Sequence, residues 1–97
     1  MANKMRPIHP GEQLQEELDE MGLSGAAFAA EIHVPTNRIT EILREKRGIS
    51  ADTALRLARY FGTTADYWMN LQKAYELRLA EQTVGKTIQK TVKPRAA

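Results

Sequence analysis

Two short helical patterns lie almost end to end in the middle of this chain. Residues 25–32 carry the compact run Ala27, Phe28 and Ala29, residues 36–44 carry Ile39, Ile42 and Leu43, and only His33, Val34 and Pro35 separate them. Two helices joined by a turn of three or four residues form a helix-turn-helix unit. The alanines of the first helix suit it, because its backbone must approach the second closely. At 100° per residue, Ile39, Ile42 and Leu43 fall on one side of the second helix, which is assigned to the core. Asn37, Thr40, Glu41 and Arg44 fall on the opposite side. Thr36 sits at the exposed N-terminal end and Arg38 on the flank.

Helix punctuation recurs elsewhere, and nothing reads as a strand pair. A first helix opens at His9-Pro10-Gly11-Glu12, with proline at a favoured first position and Glu12 at the positive end of the dipole. Leu14 and Leu18, continued by Met21, give it a buried stripe, and Gly22 stops it. Ser24 caps the second helix. Ser50 caps a fourth over 51–61, with Leu55, Ala58 and Phe61 as its inner face and Gly62 as its terminator. Thr64 caps a fifth over 65–80. There Trp68, Leu71, Tyr75 and Leu79 make one stripe and Tyr67, Ala74 and Leu77 a second. One stripe closes the monomer core, and the other buries a two-fold partner or widens the same core face. The expected fold is all-α with five helices, the second and third forming the turn unit. Residues 1–81 form the domain, and 82–97 form a basic, flexible tail, although Val84, Ile88 and Val92 recur every four residues.

The 97 residues include no cysteine, which excludes a disulfide framework, a thiolate zinc site and a cysteine nucleophile. His9 and His33 are not at ligand spacing on one helix, so no metal is expected. No local nucleophile and base pair and no glycine-rich phosphate loop is present, so neither an enzyme nor a cofactor is expected. No apolar run approaches the roughly 20 residues of a membrane span, and residues 1–10 lack the apolar core of a secretory signal. A cytoplasmic location follows as the expectation.

The net charge of +2 says little by itself, but its distribution is uneven. Acids crowd residues 12–20, while Arg38, Arg44, Lys46 and Arg47 gather in the middle and Lys86, Lys90, Lys93 and Arg95 in the tail. A helix that presents short hydrogen-bonding side chains, with cations at its far end, suits a DNA major groove. Asparagine can bond an adenine edge bidentately, threonine can meet a thymine methyl, and arginine can reach guanine. Thr36, Asn37, Arg38 and Thr40 are the candidate base readers. Arg44, Lys46 and Arg47 are placed over phosphate, with Ser24, at a helix N-terminus, as a further phosphate contact. Glu41 would repel phosphate unless it pairs internally with Arg44 or Arg38. A solvated helix face remains the alternative to a reading face.

Longer motifs carry a resemblance. His9-Pro10-Gly11-Glu12, the run from Lys46 to Thr63 (Lys-Arg-Gly-Ile-Ser-Ala-Asp-Thr-Ala-Leu-Arg-Leu-Ala-Arg-Tyr-Phe-Gly-Thr), and Trp68-Met69-Asn70-Leu71-Gln72 resemble HigA/VapI-type antitoxins of the lambda-repressor-like (XRE) family, over about residues 5–81. The resemblance implies a homodimeric repressor that binds a palindromic operator of its own operon in double-stranded DNA, and that neutralises a HigB-type, mRNA-cleaving toxin. For such a dimer the second stripe of the fifth helix, Tyr67, Ala74 and Leu77, is the expected interface. The chain departs from the family's pattern at His33 and Glu45, where glycine is usual, and at Gly25, where a glutamine often contacts phosphate. Weaker operator binding is the expected consequence. Two other readings stay open: a regulator of this fold without a toxin, and a protein-interaction module that no longer binds DNA.

Overall fold

The starts of the helices are set locally. In the computed structural model, which describes residues 6–96, they are α1 (Pro10–Met21), α2 (Gly25–Glu31), α3 (Thr36–Leu43), α4 (Ala51–Phe61) and α5 (Ala65–Thr91). The side chains of His9, Ser24, Ser50 and Thr64 accept from the amides of Gly11, Ala27, Thr53 and Tyr67 respectively, each occupying one of the amides a helix start leaves unpaired. Only α3 lacks a side-chain cap; Pro35 precedes it with φ −60°. Residues 1–5, part of the stretch read as lacking a secretory signal, and Ala97 of the tail lie outside the described residues.

The first four helices end in the same way, on a residue in the left-handed region. At Gly22 and Gly62 this conformation is free of side-chain strain, but His33 (φ 59°) and Glu45 (φ 62°) adopt it with a side chain. Around His33, Val34 N–H donates to the Ala29 carbonyl at 3.0 Å and His33 N–H to that of Ala30 at 3.2 Å. Around Glu45, Lys46 N–H donates to the Glu41 carbonyl at 2.8 Å and Glu45 N–H to that of Ile42 at 3.0 Å. The doubled closure is retained although glycine is not.

Leu14, Leu18, Phe28, Ala29, Ile39, Ile42, Ala54, Leu57 and Trp68 are completely or almost completely buried. Phe28 stacks on Phe61 with a centroid separation of 5.5 Å, and Trp68 Nε1 donates to Thr63 Oγ1 at 3.0 Å. Two expected core positions face outward. Met21 at the end of α1 is 40% exposed, and Leu55 is 64% exposed. Ala54, Leu57, Ala58 and Phe61 make an i, i+3, i+4, i+7 stripe, and Leu55 lies about 100° away from it. Along α5 burial fades from Trp68 through Leu71 and Tyr75 to Leu79, which is largely exposed.

Helix α5 also outruns its expected end at residue 80 and continues to Thr91, giving the described chain extents of 52 × 24 × 21 Å. Gly85 and three threonines lower helix propensity in that stretch, so the sequence reading stopped too early. Thr83 and Thr91 Oγ1 donate back to the carbonyls of Leu79 (3.0 Å) and Thr87 (2.8 Å).

The N-terminus of α1 abuts the end of α3. A Cβ placed on Gly11 would lie 2.1 Å from the Ile42 carbonyl oxygen, so only glycine permits this crossing. Next to it, His9 is buried, with Nδ1 accepting from Gly11 N–H at 2.9 Å and its ring edge-on to Tyr75 at 4.8 Å. Burial pushes the imidazole below its ordinary value of 6.5, against smaller opposing pulls from Glu45, Glu12 and the Arg47 backbone.

Two predictions follow from this corner. Gly11→Ala should destabilise the fold by at least about 2 kcal/mol in urea unfolding, since backbone must move to admit the methyl. For His9, the unfolded chain takes up a proton near pH 6.5 while the folded chain resists it until lower pH, so stability falls as pH drops through that region. The thermal midpoint should therefore fall from about pH 7.5 to about pH 5.5. His9→Asn, which retains a capping oxygen, should flatten the part of that slope due to this residue.

Candidate nucleic-acid interface

Helix α3 is pinned from behind. Ile39 and Ile42 have no exposed surface and Leu43 is half-buried, as the spacing requires, while Thr36 and Asn37 at the opposite end and face are exposed. Thr40 and Glu41 are half-buried. The Thr40 methyl lies toward α2, where a Cβ on Gly25 would meet it at 3.4 Å and Leu43 Cδ1 at 3.1 Å. Glycine at 25 thus permits close approach of the two helices, where a longer side chain would crowd α3.

The flanking charges are mostly paired, and differently from the expectation. Glu41 accepts from Arg47, at 2.9 Å from Nε and 2.7 Å from Nη2, and not from Arg44 or Arg38. The left-handed residue Glu45 reverses the chain and brings Arg47 back along the flank of α3. Arg38 is ion-paired with Asp52 in the first turn of α4. Among the described residues, Arg44 and Lys46 take part in no ion pair, and both are exposed. Ser24 is exposed and serves as the cap of α2. Thr36, Asn37, Arg44 and Lys46, together with the cap Ser24, are therefore the expected contact residues that are exposed and have no internal ion pair.

Several supporting residues escaped the sequence reading. Gln72 Oε1 on α5 accepts from Ile49 N–H at 2.7 Å, and its amide packs where a Cβ on Gly48 would stand. It holds the loop that carries Lys46 and Arg47. Arg56 Nη1 donates to the carbonyls of Ile32 (2.9 Å) and His33 (3.3 Å), fixing the turn between α2 and α3. These partners are 23 and 24 residues apart, and no local pattern announces them. Tyr67, Ala74 and Leu77, expected near a dimer interface, are all exposed, and Val84 and Ile88 further along α5 and Val92 just past its end are exposed too. Among the described residues no cluster could hold a metal ion, and no helix is long and apolar enough to cross a membrane.

Comparison with known proteins places this geometry. A family profile described as Helix-turn-helix matches residues 14–68, from Leu14 of α1 to Trp68 of α5. Virulence-associated protein I of Dichelobacter nodosus is 60% identical over 81 residues, covering 82% of this chain and 75% of its own. The structure of an addiction module antidote protein of the HigA family from Coxiella burnetii superposes with a TM-score of 0.91 at 52% identity, covering 94% of this chain and all of the other. Antitoxin HigA of Pseudomonas aeruginosa, solved with the higBA promoter, superposes with a TM-score of 0.90 at 49% identity, covering 94% and 100%. The chain belongs to the XRE-type helix-turn-helix family, within the group that includes the HigA antitoxins.

Proposed function

We propose that the chain is a repressor of the HigA type, which inserts α3 into the major groove of an operator in its own promoter. The observation that carries this reading is the two-sided character of α3: Ile39 and Ile42 are fully buried, while Thr36 and Asn37 stand exposed at its leading end. Thr36, Asn37 and Thr40 read base edges and Ser24, Arg44 and Lys46 hold phosphates, while Arg47, paired with Glu41, braces the flank of α3 in place of its expected phosphate contact. His33 and Glu45 sustain the left-handed turns on either side of α3 without glycine, so their departure from the family pattern leaves the turn geometry intact. The HigA relative solved with promoter DNA supports the same use of the fold. The antidote and antitoxin relatives support a second role, neutralising a HigB-type toxin in the cytoplasm.

A two-fold operator calls for a two-fold protein. Ala74, Leu77, Val84 and Ile88 follow one another at intervals of three, seven and four residues along α5 and leave an apolar stripe uncovered in the single chain, with Tyr67 near its start. That stripe is the dimer seam of this proposal.

Titration of the palindrome upstream of the gene, beside a scrambled duplex, tests the DNA reading. Asn37→Ala should cost about 1–3 kcal/mol on the operator and leave scrambled DNA unaffected. Lys46→Ala should weaken both and lower the salt slope by about one. Equal loss on both duplexes for Asn37→Ala would remove Asn37 as a base reader. Sedimentation tests the seam: the wild type should run as a dimer and Leu77→Glu as a monomer, while Leu55→Glu, exposed on α4, should stay dimeric.

A further inference from the structure

One charged cluster lies beside the reading face and outside it. Asp52 Oδ2, in the first turn of α4, accepts from two guanidinium groups, Arg38 Nη1 from α3 and Arg56 Nε at 2.9 Å from the next turn of α4. Arg56 in turn donates to the Ile32 and His33 carbonyls. A single carboxylate thus joins the α2–α3 turn, through Arg56, to the third residue of α3. Hydrogen bonds from Arg56 first, and from Arg38, hold the Asp52 carboxyl below the usual carboxylate range and favour its ionised form.

The geometric result is that Arg38 does not share the exposure of its neighbours. Thr36 and Asn37 are open to solvent, but the Arg38 side chain is only 28% exposed, with its guanidinium drawn against α4. A helix lying in the major groove has phosphates along both flanks. A cation released there gains affinity for every sequence alike, because phosphate contacts carry no base information. An acid that retains such a cation therefore lowers affinity for every sequence alike and leaves the base contacts, and with them the ratio between sequences, untouched.

We propose that Asp52 is a positioning residue that never touches DNA but sets the overall DNA affinity: it keeps Arg38 as a brace between α3 and α4 and withholds it from phosphate. This assigns Arg38, one of the four candidate base readers, to positioning. The inference rests on α3 being the groove helix.

The test uses the full chain, the operator duplex and a scrambled duplex of equal length, over about 50–200 mM salt. Asp52→Asn should tighten binding to the scrambled and operator duplexes alike, by roughly two- to fivefold, the scale of an exposed ion pair, steepen both salt slopes by about one, and leave the operator-to-scrambled ratio unchanged. Arg38→Ala alone should leave the scrambled-DNA slope unchanged, and Asp52→Asn made in that background should change neither slope nor affinity. If the Asp52→Asn effect persists without Arg38, the carboxylate merely repels DNA and the proposal is overturned. A slope lowered by about one in Arg38→Ala overturns it as well, since Arg38 would already sit on phosphate. Should Asp52→Asn fail to fold, the Arg38→Ala slope decides alone. Asn37→Ala, run alongside, reports on the groove reading separately: equal loss on both duplexes defeats that reading, whatever the Asp52 variants show.

Discussion

The burial of Ile39 and Ile42 beneath α3 is the contact on which the other features depend. Each fully buried branched side chain contributes about 1.5–3 kcal/mol, and two on one eight-residue helix fix its rotation about its own axis. Rotation is what decides which residues reach outward. Helix α3 has no side-chain cap and is too short to be stable alone, so it exists because α1 and α2 hold it. Both approaches are close ones. Gly11 lets the start of α1 meet the Ile42 carbonyl, and Gly25 lets α2 lie against Thr40 and Leu43.

Electrostatics then sort the charges around that helix. The chain is only weakly basic, and three of the arginines near α3 are taken up by acids: Arg38 and Arg56 by Asp52, and Arg47 by Glu41. Exposed pairs of this kind add little to stability. Their effect here is on position, because each ties a loop or turn to a neighbouring helix. Arg44 and Lys46 stay outside these pairs and lie just beyond the end of α3, where a phosphate backbone would pass. The loop that bears Lys46 is itself held by Gln72 on α5, so the far helix contributes to the interface without approaching it.

Helix α5 divides the molecule differently. Its first turns complete the core through Trp68, half-bury Leu71 and Tyr75, and support His9 through the Tyr75 ring. Beyond Leu79 it leaves the body of the protein and presents Val84 and Ile88 to solvent. Isolated helical stretches gain their stability from packing, so an apolar stripe repeated over this length is consistent with a partner helix.

The sequence by itself determined the five helices, the capping residues Ser24, Ser50 and Thr64, the terminators Gly22 and Gly62, and the inward turn of Ile39 and Ile42. These rest on periodicity and on bonds within four residues of one another, which a linear reading can see. Only the tertiary structure decided that Leu55 and Met21 point outward, that α5 runs on to Thr91, that Glu41 pairs with Arg47, and that Asp52 binds Arg38 and Arg56 together. The reason is range. A helix wheel fixes relative angles within one element, but which angle faces the core, and which charges meet across 6 or 14 residues, depends on how the elements pack.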